Sequence, residues 1–137
     1  MNIEEQIKSY QKTAKKHNAT LVAVSKTKPI SSIERAYNQG QRIFGENKVQ
    51  ELIEKHSLLP KDIEWHMIGH LQTNKVKFIA PFVSLIHAVD SLKLLKEINK
   101  QAKKNNLIIA CLIQLHISTD ETKFGFTYDE LDNLLQK

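Results

Sequence analysis

Lys26 stands one residue beyond an apolar run, in the stretch Leu21-Val22-Ala23-Val24-Ser25-Lys26-Thr27-Lys28-Pro29. Such a valine-rich run reads as a strand buried on both faces, the pattern of parallel strands in α/β proteins. A lysine at the exit of that strand sits at the rim of a core, where burial and neighbouring cations lower an amine's pKa and free its lone pair. The chemistry open to it is Schiff-base formation with a carbonyl compound or an aldehyde cofactor. Taken alone, the nonapeptide favours the simpler reading, in which Lys26 and Lys28 are solvated loop lysines.

Other residues able to do chemistry recur at the ends of later apolar runs. Gly45-Glu46-Asn47 follows the second run; Gly45 allows close approach of backbone, and Asn47 can both donate and accept hydrogen bonds. His66 lies in the third run, which closes on Gly69-His70; His87 lies in the fourth, which ends at Asp90; Gln114 and His116 lie in the fifth. Function in parallel α/β folds collects at the carboxyl ends of the strands, so these polar groups converge on one rim. His66 and His70 have the four-residue spacing of a zinc-binding helix, but one is in a strand and a glycine intervenes, so no metal site is expected. Singly, His66 or His87 is more simply a hydrogen-bonded core histidine than a catalyst. No Gly-x-Ser-x-Gly occurs, and Cys111 reads as a small hydrophobe in mid-strand, which leaves lysine as the well-placed nucleophile.

The elements that hold these residues alternate regularly. A helix over residues 3–16 carries Ile3, Ile7, Tyr10 and Ala14 on one stripe. After the strand from residue 21, Ser31 with Glu34 predicts a capping box opening a helix that buries Ile33, Ala36 and Tyr37 and stops at Gly40. A strand over 42–45 leads to a helix over 46–56 with Val49, Leu52 and Ile53 inward. A strand over 64–68, a helix over 74–80 stopped by Pro81, and a strand over 83–89 follow. Asp90-Ser91 caps a helix burying Leu94, Leu95, Ile98 and Ala102; a fifth strand covers 107–117; Thr127 with Glu130 forms a capping box for a last helix with Leu131, Leu134 and Leu135 inward. Such alternation predicts a parallel sheet flanked by helices, as a doubly wound open sheet or part of a (βα)8 barrel. No Gly-x-Gly-x-x-Gly and no Walker-type Gly-Lys-Ser/Thr is present, against the common nucleotide-binding open sheets.

Composition narrows the class. A chain of 137 residues fits one domain, and 41% hydrophobic with 26% charged residues excludes an extended disordered protein. The net charge of +5 goes with lysines spread along every predicted helix, which predicts solvated faces and no nucleic acid as partner; an anionic small ligand would use the same charge. No apolar stretch approaches a membrane span and no signal peptide is visible; with a single cysteine, these features set the expectation of a cytoplasmic protein away from membranes.

The chain resembles the pyridoxal 5′-phosphate (PLP) homeostasis protein family, which is related to the N-terminal barrel of alanine racemase. The resemblance is carried by the stretch from Leu21 to Pro29, by Phe44-Gly45-Glu46-Asn47 with Val49-Gln50-Glu51, by Trp65-His66-Met67-Ile68-Gly69-His70-Leu71-Gln72-Thr73-Asn74-Lys75, and by the loop over 118–125. It implies an α/β fold of PLP fold type III: a partial (βα)8 TIM barrel with about five of eight parallel strands, residues 1–137 forming one incomplete PLP-binding domain. It implies further that Lys26 holds PLP as a Schiff base and that Asn47, His66, Gly69 and Asn74 help shape the cofactor site. The implied role is binding and supplying PLP in vitamin B6 homeostasis, without an established reaction and with PLP-dependent apoenzymes as recipients. A racemase-like enzyme is the alternative, and it would need a second base that this sequence does not supply; a fragment without cofactor binding is the other. His116 stands where the family usually has asparagine. Family members continue for several more strands, so the expectation is a truncated product or one piece of a larger assembly, with open sheet edges that favour self-association.

Overall fold

The computed structural model describes residues 2–117 and 125–136. The sequence-predicted alternation is present: α1 (Ile3–Lys16), β1 (Ala23–Val24), α2 (Ile30–Asn38), β2 (Ile43–Glu46), α3 (Val49–Leu58), β3 (Glu64–Met67), a 3₁₀ turn (Thr73–Lys75) running into α4 (Val76–Ile79), β4 (Leu85–Val89), α5 (Leu92–Lys104), β5 (Ala110–Ile113) and α6 (Tyr128–Leu135). All five strands pair in parallel, in the order β1-β2-β3-β4-β5. A doubly wound sheet reverses its strand order at a switch point, whereas a barrel wall is laid down consecutively. The consecutive order therefore decides between the two architectures in favour of the barrel wall.

Packing follows from which strands have neighbours on both sides. β2, β3 and β4 supply the fully buried Phe44, Trp65, Met67, Ile86 and Val89, and the helices close over them with Ile33, Leu52, Val76, Ile79, Leu94 and Ile98. Phe44 and Trp65 sit in register on adjacent strands with ring centroids 5.9 Å apart, a cross-strand aromatic pair. β1 and β5 are the edges, and they expose apolar side chains: Val24 is 53% exposed and Leu112 49%. The expectation that the first strand is buried on both faces is thus corrected, because an edge strand has a partner on one side only. The fifth strand is also shorter than its apolar run, since Ile108 is 99% exposed and precedes the paired segment.

Helix termini show where local chemistry was decisive. Ser91 accepts from the Leu94 amide at 3.1 Å, and Thr127 with Glu130 forms the expected reciprocal capping box. Gly40, at φ +92°, ends α2 in a Schellman arrangement, with Gly40 N donating to Tyr37 O and Gln41 N to Ala36 O. The predicted Ser31–Glu34 capping box does not form: Pro29 occupies the cap position and α2 begins at Ile30, so both serines fall inside its first turn. Residue 46 is likewise the last of β2, where the reading had it opening a helix. Of the inward residues assigned to α6, Leu134 packs against the core, whereas Leu135 is exposed. Residues 118–124 of the resembling loop lie outside the described residues.

Candidate functional site

Lys26 occupies a turn between β1 and α2, with its side chain exposed. The turn is closed by Lys28 N donating to Ser25 O at 3.1 Å, and Ser25 N donates to Gly45 O at 3.0 Å, which docks its start onto β2. Thr27 adopts φ +63°, a left-handed conformation that a β-branched residue rarely takes. Three contacts hold it there or nearby: its hydroxyl donates to Lys26 O at 2.6 Å, its amide donates to Glu51 Oε2 at 2.7 Å, and Ser25 Oγ donates to Glu46 Oε2. Backbone strain of this kind persists only where the surroundings over-determine it.

The surroundings here are ionic. Lys55, on α3 and only 5% exposed, donates to Ser25 O at 2.7 Å, to Glu46 Oε2 at 2.8 Å and to Glu51 Oε2 at 2.6 Å. An ammonium has three N–H donors, so this buried cation is saturated. The hydrogen bond from Lys55 holds the Glu51 carboxyl below the usual glutamate range, and the Thr27 amide and the charges of Lys55 and Lys48 act in the same direction against desolvation. Sequence reasoning missed Glu46 and Lys55. The signal was there: position 55 lies three residues after Leu52 and so falls on the buried stripe of α3, four residues after a glutamate.

The next strand ends bring Asn47 and Gly69 together. A Cβ at Gly69 would stand 2.7 Å from Asn47 Cβ and 2.8 Å from Asn47 O, so only glycine lets the exit of β3 pass this close. Asn47 Oδ1 is shielded from solvent and has no hydrogen-bond partner, an acceptor that a buried polar group does not normally leave unmet. Gly45, by contrast, is approached by the side chains of Ile68 and Val22 and not by backbone.

The histidines form the other half of the rim. His66 Nδ1 lies 2.9 Å from His87 Nε2, with ring centroids 5.1 Å apart. Burial pushes both imidazoles below their ordinary pKa, and for His66 the neighbouring His87 adds to the effect. At neutral pH the pair is therefore two neutral rings, one donating and one accepting. His70 Nδ1 meets Asp90 Oδ2 at 2.9 Å on the same side. Asn74, in the 3₁₀ turn that follows β3, lines a groove of about 760 Å³ with Lys77, Lys93 and Lys100, between α4 and α5. Cys111 packs against the core, and burial raises its thiol pKa, which agrees with its reading as a small hydrophobe.

The residues present fit a carbonyl cofactor at the rim: an exposed amine on a fixed turn, and a shielded acceptor at Asn47, against which the Gly69 backbone packs. The family model for the alanine racemase N-terminal domain matches residues 1–137. The pyridoxal phosphate homeostasis protein of Aquifex aeolicus is 44% identical over 119 residues, covering 86% of this chain and 52% of that one. Its namesake in Escherichia coli K12 is 42% identical over 119 residues, covering 84% and 51%. The chain thus spans about half the length of these relatives, at 52% and 51%. Among solved structures, PipY of Synechococcus elongatus PCC7942 with PLP bound matches at TM-score 0.87 and 33% identity, over 98% of this chain and 63% of that chain. Alanine racemase from Bartonella henselae, with covalently bound pyridoxal phosphate, matches in fold at TM-score 0.74 and 17% identity, over 100% and 39%. With the consecutive parallel strands and the lysine at the exit of the first of them, the full-length family match is decisive: the chain belongs to the alanine racemase N-terminal domain family.

Proposed function

We propose that this chain binds pyridoxal 5′-phosphate at the carboxyl rim of its sheet, with Lys26 as the amine that holds it, and that it serves PLP homeostasis in the cytoplasm as a carrier for PLP-dependent apoenzymes. The observation that carries this reading is the fixed turn at the exit of β1: the exposed Lys26 amine stands on backbone that β2 and α3 hold in a strained shape. The relatives named pyridoxal phosphate homeostasis protein, and the PipY structure with PLP bound, support the choice of cofactor. When bound, the cofactor supplies an aldehyde. Lys26 would hold the cofactor through its amine nitrogen, the nucleophile suited to a carbonyl group. Asn47 Oδ1 would offer the bound group a hydrogen-bond acceptor, and Gly69, His66 and Asn74 would help shape the site beside it.

A carrier is preferred to a racemase-like enzyme because a racemase needs a second base on the opposite face of the cofactor, and the polar groups described at this rim lie together at the strand ends. Titration of the protein with pyridoxal 5′-phosphate is expected to give a new visible absorbance band that is absent in Lys26→Ala. Identical titrations of the two proteins would refute the role of Lys26.

A further inference from the structure

Two of the buried charges have a geometry that ordinary stabilisation does not explain. Lys55 spends one of its three donors on a main-chain carbonyl, that of Ser25, thirty residues away on another element. Glu51, bridged to the same ammonium, spends its acceptor on the main-chain amide of Thr27. These are the two peptide groups on either side of Lys26. Glu46, fully buried at the end of β2, completes the arrangement by accepting from both Lys55 and the Ser25 hydroxyl. A buried ion pair is a weak device for stability, since well-packed apolar residues of similar volume often do as well. It is a good device for fixing geometry, because charged hydrogen bonds in a dry site are short and directional.

We propose that Lys55, with Glu46 and Glu51, forms a positioning clamp that sets the direction of the Lys26 side chain by gripping the peptide groups before and after it. The clamp keeps Thr27 at its left-handed φ of +63° and so prevents the turn from relaxing. Without it, Thr27 returns to negative φ, the peptide planes around residue 26 rotate, and Lys26 loses its advantage over Lys28, two positions along the same turn. The lowered pKa of Glu51 agrees with a carboxylate that stays charged in this role. The proposal rests on the reading of Lys26 as the amine that takes pyridoxal 5′-phosphate.

Two measurements on Lys55→Met and Glu51→Ala test it. Glu51 is partly exposed, and its removal leaves the Lys55–Glu46 pair intact, so this variant stays folded if Lys55→Met does not. The first measurement is hydrogen exchange without cofactor: the Thr27 amide, protected in the wild type, is expected to exchange at least tenfold faster in each folded variant, with the β3 amides unchanged. The second is borohydride reduction after adding pyridoxal 5′-phosphate, followed by peptide mapping. The ratio of label at Lys26 to label at Lys28 is expected to fall at least tenfold. Unchanged Thr27 exchange, or wild-type selectivity for Lys26 in a folded variant, overturns the clamp. Label absent from Lys26 in the wild type, with Thr27 exchange behaving as expected, leaves the clamp as a backbone device and refutes the reading of Lys26 as the cofactor's amine.

Discussion

The rim of the sheet is built in two ways. At the ends of β1 and β2 one ammonium, two carboxylates and a strained turn hold each other in place, and the ammonium has all three of its donors engaged. At the ends of β3 and β4 His66 and His87 form a neutral pair of imidazoles whose pKa values burial pushes down. The two arrangements answer different demands. Ions fix a backbone and are costly to separate. Neutral rings can exchange donor and acceptor roles and are cheap to bury, at the cost of failing when a proton arrives.

Breaking the ionic half is expected to have the largest effect. Lys55→Met leaves Glu46 buried and unpaired, and should lose about 3–5 kcal/mol in urea denaturation. The double variant Lys55→Met with Glu46→Leu should recover most of that loss, because no buried charge is then left without a partner. Strictly additive losses would show that the two side chains do not act as a unit. On the neutral half, His87→Leu leaves His66 Nδ1 without its partner and should cost about 1–2 kcal/mol at pH 7.5.

The smallest effect, and the one that sharpens the contrast most, is pH dependence. A histidine whose folded pKa is depressed binds protons more readily when unfolded, so its stability contribution is intact above about 6.5 and is lost as pH falls through the folded value. His66 and His87 therefore predict a decline in stability beginning just below neutrality, to which the half-buried His56, pushed down by desolvation and by the charge of Lys61, adds. Glu51 has the same sign at lower pH: its contribution is present above the ordinary glutamate value of about 4.3 and is lost as pH falls through its depressed one. Denaturation midpoints measured from pH 8 to 3 should show two separate declines. Changing both His66 and His87 to glutamine should weaken the upper decline and leave the lower one in place; loss of both declines together would erase the distinction between the two halves.

The parts of this architecture that were legible in the sequence are those governed by periodicity. The stripe of Ile33, Ala36 and Tyr37, the stop at Gly40, and the box at Thr127 and Glu130 can each be read locally, and the strands recur where apolar runs predict them. The illegible parts depend on distant partners. Glu46 looks like the first acid of a helix until Ser25 and Lys55 close around it, and Lys55 looks like any surface lysine until α3 turns it toward the end of β1. Asn74 enters the site only through the family resemblance; it stands in the 3₁₀ turn after β3 and also lines the groove between α4 and α5. The convergence of Lys26, Asn47, His66 and Gly69 on the strand ends was readable because parallel strands put their carboxyl ends on one side; the lock behind Lys26 was not, because it joins residues thirty positions apart.

The most direct test of the account is to find where the aldehyde lands. After incubation with substoichiometric pyridoxal 5′-phosphate and reduction with borohydride, mass spectrometry of the digested wild-type protein should place the label on Lys26 in preference to every other lysine. Label spread over the many exposed lysines according to their accessibility would contradict it.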